Sequence, residues 1–168
     1  NLHKIYRYSL SLLYYGGNLI LSMTETRLFD PLNKPTDAEK SEIVNFLFEN
    51  LEEYGDQKKD IEKAINYSLK EFTSFGGFIL CLYAGSQIKG AVVINHTGMG
   101  GYIPENILVY VAVNKHHRGE GLGKKIMKQA IEHATGDIAL HVEANNPAKF
   151  LYELMGFTNP YLEMRLKK

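Results

Sequence analysis

Arg118-Gly119-Glu120-Gly121-Leu122-Gly123 sets three glycines at alternate positions behind an arginine, with His116 and His117 before it and Lys124 and Lys125 after it. The chemistry such a stretch can do is anion capture. Apolar, β-branched residues over 107–113 read as a buried strand leading into it. Beyond Leu122 the spacing turns helical, with Ile126, Met127, Ala130 and Ile131 on one face and Lys124, Lys125, Lys128 and Gln129 on the other. Strand, glycine turn and helix start together aim several unpaired backbone N–H groups at one point, which suits a phosphate-bearing cofactor between Arg118 and Gly123. A Walker loop is excluded, because Gly123 is followed by Lys124-Lys125-Ile126 rather than by lysine and a hydroxyl residue. The spacing also departs from the Gly-x-Gly-x-x-Gly of a dinucleotide fold. On this stretch alone, a tight turn with incidental glycines stays open.

Other reactive side chains are sparse. Cys81, the single cysteine, lies in the apolar run 78–83 and reads as a packed core thiol. The six histidines are scattered, and His116-His117 lacks partners at ligand spacing, so no metal site is expected. A lone cysteine cannot close an intrachain disulfide, which fits a reducing compartment and a cytoplasmic protein. Nineteen basic residues balance nineteen acidic ones, which argues against a nucleic-acid partner.

These residues need elements to hold them. The length of 168 residues suits one domain over 23–168. Residues 1–22 look different, with an apolar run broken by Gly16-Gly17-Asn18 that is too short to span a membrane. They read as an N-terminal extension: an arm packed on the domain or on a neighbouring subunit of a homodimer, or a non-native leader. A strand over 26–30 ends at Pro31. Thr36 and Glu39 form a capping box for a helix carrying Ile43, Val44, Phe46, Leu47 and Leu51. A second helix starts near Asp56, carries Ile61, Ile65, Leu69 and Phe72, and breaks at Gly76-Gly77. Glu49, Glu52 and Glu53 read as solvated helix surface. A hairpin over 77–95 turns at Gly85-Ser86-Gln87, and a glycine-rich loop over 96–104 precedes the strand 107–113. After the helix 121–134, a strand is expected over 138–143. A helix then starts at Pro147, carries Phe150, Leu151 and Leu154 and ends at Gly156, and an alternating half-buried strand covers 161–166. This order predicts an α/β (α+β) architecture, a mixed sheet with helices on both faces.

The glycine turn, together with Asn145-Asn146-Pro147-Ala148-Lys149-Phe150-Leu151-Tyr152-Glu153-Leu154-Met155-Gly156-Phe157, resembles the GNAT superfamily of acyl-CoA-dependent N-acetyltransferases. The first segment is similar to its Arg/Gln-x-x-Gly-x-Gly/Ala pyrophosphate turn and the second to its Asn-x-x-Ala-x-x-x-Tyr-x-x-x-Gly-Phe stretch. The resemblance implies a mostly antiparallel central sheet in which the strands 107–113 and 138–143 splay apart. It implies acetyl-CoA as co-substrate, no metal, and acetyl transfer to a primary amine, of a small molecule or a peptide, by direct attack. No membrane partner is implied. By the same resemblance Val111, Ala112 and Val113 lie along the pantetheine, with a backbone N–H polarising the thioester carbonyl. Arg118, Gly119, Glu120, Gly121, Leu122, Gly123 and Lys124 surround the pyrophosphate, and Asn145 holds the pantetheine arm. Tyr152 takes the place of the tyrosine that protonates the departing thiolate. The proton acceptor for the amine is open: Glu105 and Glu143 are the carboxylates best placed in the chain, with His96 and His141 as further candidates. The alternatives are a catalytically silent acyl-CoA-binding or regulatory module, and a phosphate-binding interaction domain.

Overall fold

The computed structural model describes the backbone of residues 7–15 and 18–168, and side chains from Thr24 onward. Six strands form one sheet in chain order: β1 (Arg7–Tyr15), β2 (Asn18–Phe29), β3 (Gly77–Ala84), β4 (Gln87–His96), β5 (Asn106–Val113) and β6 (Ile138–Leu140). Every neighbouring pair is antiparallel except β5 and β6. A parallel pair needs a crossover, and α3 (Leu122–His133) provides it. The first strand is longer than the expected 26–30: β2 starts at Asn18, pairs with β1, and runs through the 22/23 boundary. The apolar residues ahead of Met23 keep strand-forming character there, so nothing ends the strand before Pro31. Residues 1–6 and 16–17 of the extension lie outside the described residues.

Helices cover both faces. On one, α1 (Asp37–Leu51) and α2 (Lys58–Ser68) bury Ile43, Leu47, Ile61 and Ile65 against Ile79, Cys81, Ala91 and Val93. Burial pushes the Cys81 thiol pKa far up, as befits a core thiol. Thr36 caps α1 as expected: its hydroxyl accepts from the Glu39 N–H at 3.2 Å, while the Glu39 carboxylate accepts from the Thr36 N–H at 2.8 Å. On the other face α3 packs Ile126, Met127 and Ala130 against Leu80, Leu82, Val92 and Ile94, and α4 (Ala148–Leu154) adds Tyr152. With both sides covered, β3 and β4 are buried almost throughout, which is why they read as continuous apolar runs.

Besides β2, four elements differ from expectation. Helix α2 stops at Ser68 rather than near Gly76, because Leu69 is buried and Lys70 adopts a left-handed φ of 52° that breaks the ladder; Phe72 is left exposed. Helix α4 turns Tyr152 inward and leaves Phe150 and Leu154 exposed, so its buried stripe is rotated from the expected one. Strand β6 ends at Leu140 instead of Glu143. Residues 161–166 form no strand and are exposed throughout.

One irregularity in β5 decides where a site can lie. Val93 pairs with Tyr110 but Ile94 pairs with Leu108, so Val109 is an extra residue in β5. Such a bulge switches side-chain parity and bends the strand. The core records the switch: Leu108 packs beneath α3, whereas Val109 and Tyr110 both face α1 and α2. Pairing of β5 with β6 runs from Asn106↔Ile138 to Leu108↔Leu140 and stops there, at the bulge. Strand β6 ends there, and β5 runs on to Val113 with no β6 partner.

Candidate active site

The bulge leaves backbone unpaired. The Asn106 N–H donates to the Asp137 carbonyl at 3.0 Å, toward β6, and the Asn114 N–H donates to the Lys89 carbonyl at 2.9 Å, toward β4. Counting back from Asn114, alternation turns Ala112 toward β4 and Val111 and Val113 the opposite way. Their N–H and C=O groups therefore face the gap that β6 has vacated.

The chain then enters the glycine turn. Asn114 accepts from the His116 N–H at 3.0 Å and starts a short 3-10 turn, Lys115–His117. Gly119 has φ 84° and Gly121, the N-cap of α3, has φ 78°. Those left-handed conformations favour glycine. A Cβ at either position would meet no heavy atom within 4 Å, so both backbones border open space. The first intrahelical bond runs from the Lys125 N–H to the Gly121 carbonyl, and no side chain caps the helix. The N–H groups of Leu122, Gly123 and Lys124 are thus left pointing out of the N-terminus, with the helix dipole behind them. At Gly123 a Cβ would lie 3.2 Å from Leu151 and 3.6 Å from Val113, so this glycine lets α3 start against both α4 and the end of β5. The turn and the gap meet here.

Most of the charged side chains around the turn have partners within the chain. Arg118 donates to the Glu52 carboxylate at 2.9 Å and to the Asn50 carbonyl at 2.9 Å. Asn50 in turn accepts from the Lys115 N–H at 2.9 Å. His117 bridges the Lys89 ammonium at 3.0 Å and the Glu120 carboxylate at 3.1 Å, which fixes where Glu120 points. Lys125 reaches Thr24 and its pKa is lowered by burial, whereas Lys124 is exposed beside the turn. Glu52 belongs to this anchor rather than to free helix surface. Sequence reasoning passed over Asn50 and read Glu52 as surface because both lie more than sixty residues from Arg118.

Tyr152 is buried on α4 in the core cluster that α3 covers, with its ring edge-on to Phe157 at 6.0 Å. Burial pushes its pKa up to about 12, so the hydroxyl holds its proton at neutral pH. Asn146, not Asn145, braces the start of α4, accepting from the Ala148 N–H at 2.8 Å. Asn145 is exposed. Glu143 and His141 follow the end of β6 and are exposed, His141 at 3.9 Å from Glu163. Glu105 and His96 sit at the other end of β5 and β4. The Glu105 carboxylate accepts from the Asp137 N–H at 2.8 Å, and backbone hydrogen bonding, chiefly that one, lowers its pKa. Six residues separate it from Val111, about 20 Å of strand at roughly 3.3 Å per residue.

The model of the acetyltransferase (GNAT) domain family matches residues 76–159, half of the chain, and spans the bulge, the glycine turn and Tyr152. The chain belongs to the GNAT acetyltransferase family. Among curated proteins no sequence relative was found. Solved structures share the GNAT fold at low identity. A GNAT-family acetyltransferase from Streptococcus pneumoniae is 16% identical, with a TM-score of 0.61 over 87% of this chain and 98% of its own. An aminoglycoside 6'-N-acetyltransferase from Acinetobacter haemolyticus is 15% identical, with a TM-score of 0.58 over 80% and 94%. A chain of the NatC complex bound to Gag peptide and CoA is 20% identical, with a TM-score of 0.60 over 80% and 84%. The mixed, mostly antiparallel sheet with its one parallel pair is the GNAT arrangement expected from the sequence.

Proposed function

We propose that this chain transfers the acetyl group of acetyl-CoA to a primary amine by direct attack of the bound amine. The observation that carries the reading is the meeting, at Gly123, of an open helix N-terminus with an unpaired strand edge. The residues fit a long phosphorylated thioester. Gly119 and Gly121 leave room for a pyrophosphate against the N–H groups of Leu122, Gly123 and Lys124. The Val111 and Val113 edge offers strand-like hydrogen bonds to a pantetheine amide, and Asn145 is assigned to the pantetheine arm in this reading. Acetyl-CoA supplies the activated acyl group.

The chain supplies orientation, charge stabilisation and proton handling. A Val111 N–H in the gap donates to the oxygen on which charge develops. Tyr152, protonated at neutral pH, gives its proton to the departing thiolate, whose own affinity for protons lies near that of free cysteine. Of the two carboxylates, Glu143 is at the open end and takes the amine proton in this reading. Glu105, bound to the Asp137 N–H at the closed end, anchors the fold. Arg118 acts on the turn through Asn50 and Glu52 rather than as a free cation. The acceptor is a small-molecule or peptide amine; the neighbours' names include both an aminoglycoside and a peptide, so the fold does not choose between them.

Calorimetry with acetyl-CoA, CoA and ATP, followed by thiol release over an amine panel, tests the reading. Binding of acetyl-CoA with amine-dependent thiol release is the expected result. Binding without release would make the chain a silent acyl-CoA module, and ATP binding as tight as CoA would leave only a general phosphate site.

A further inference from the structure

Residues 161–166 alternate strictly. Leu162, Met164 and Leu166 occupy one set of positions, and Tyr161, Glu163 and Arg165 the other. This is the pattern of a strand with one buried face, yet among the described residues no backbone hydrogen bond joins the segment to the sheet. Tyr161, Leu162, Met164 and Leu166 are 84–94% exposed. A single exposed leucine is ordinary; four large apolar side chains within six residues mark a surface that binds something. Glu163 and Arg165 pair with each other along the segment, which puts both charges on one face of an extended chain.

We propose that residues 161–166 pair with the same residues of a second copy as an antiparallel ribbon centred on Met164. Two-fold pairing requires a segment complementary to its own reverse, and Leu162-Glu163-Met164-Arg165-Leu166 is one. With Met164 opposite itself, Leu162 faces Leu166 and Glu163 faces Arg165, each twice. The register is specified. A shift of one residue puts charges on the apolar face, and a shift of two sets Glu163 opposite Glu163 or Arg165 opposite Arg165. The leucines and methionines of both copies then form one apolar strip, and exposed Phe150 and Leu154 on α4 add apolar surface a few residues upstream. A two-stranded ribbon alone is marginal in water, so the dimer is weak and depends on concentration.

Sedimentation velocity on the whole chain over a concentration series tests this. Wild type should show a reversible monomer–dimer equilibrium. Glu163→Arg alone and Arg165→Glu alone should each weaken it by about tenfold or more, because two favourable cross-strand pairs become two like-charge ones. An equimolar mixture of the two variants should restore dimer, since the two basic positions of one chain then face the two acidic positions of the other. All these side chains are exposed, so circular dichroism should show both variants folded. A wild type that stays monomeric at its highest soluble concentration, single variants that dimerise as well as wild type, or a mixture that dimerises no better than its components would each overturn the proposal.

Discussion

The two ends of β5 have the same backbone and opposite fates. At the start of the strand the backbone is tied to the turn before β6. Asn106 donates from its N–H to the Asp137 carbonyl and from its side chain to the Thr135 and Asp137 carbonyls at 2.8 and 3.1 Å, while Glu105 accepts from the Asp137 N–H. Six residues on, Val111 and Val113 face a gap, and the turn beyond ends in a helix N-terminus with no side-chain cap. One inserted residue, Val109, separates the regimes. Unmet backbone hydrogen-bonding capacity is costly in a core but useful where a ligand can fill it. The closed end supplies the rigidity that lets the open end stay open.

The largest effect should come from filling the open end. Gly121→Val puts a β-branched side chain at φ 78°, a conformation such residues almost never adopt, and projects it into the cradle. Calorimetry should show acetyl-CoA affinity reduced about 100-fold or to nothing, more than the roughly 1–2 kcal/mol of left-handed strain alone would give. Gly136→Ala is the counterpart at the closed end, with φ 85° and a Cβ that would lie 2.6 Å from Glu105. Its melting temperature should fall while acetyl-CoA affinity stays. If both variants lose affinity alike, the division of labour along β5 is wrong. Next in size is Tyr152→Phe, which keeps the ring packed on Phe157 and removes only the hydroxyl. Turnover should fall about 10²-fold with cofactor affinity unchanged, in the range general acids contribute; unchanged turnover across a pH series would remove Tyr152 from proton transfer.

How far the sequence revealed this division depended on range. Elements with local causes were legible: the Thr36–Glu39 capping box, the Gly85 hairpin turn and the strand–glycine–helix passage at 107–134 all lie where spacing put them. The open end was legible too, because alternate glycines are a local code. The closed end was not. Nothing within a few residues of Glu105 says that Asp137, thirty-two positions away, will donate to it, and the charge alone suggests a catalytic base as readily as an anchor. The partners that hold Arg118 were hidden for the same reason, since Asn50 and Glu52 are distant in the chain. The bulge had no visible signal, because Val109 is one more apolar residue in an apolar run. At 161–166 the periodicity was real, but among the described residues the segment pairs with no strand of the sheet, and periodicity cannot supply a partner.

Two further substitutions sharpen the closed half of the comparison. Asn106→Ala removes both side-chain donors from a residue that is 1% exposed, leaving the Thr135 carbonyl short of one bond. Urea unfolding should show a loss of about 1–3 kcal/mol, with acetyl-CoA affinity little changed once the protein is folded. Glu105→Gln should have the smallest effect and the most telling pH dependence. The ordinary carboxyl value of 4.5 is lowered in the folded chain by the Asp137 N–H, so folding favours the ionised form. A depressed carboxylate contributes stability that is present above its unfolded value and lost as pH falls through the folded one. Wild type should therefore be the more stable protein at pH 7, and its advantage over Glu105→Gln should shrink progressively below about pH 4.5, where protonation removes the charge that the glutamine already lacks. Urea midpoints for the two proteins from pH 7 downward measure that difference. A gap that stays constant through the acid range would mean that Glu105 holds the α3–β6 turn by shape, wedged against Gly100 and Gly136, rather than as an ionised acceptor.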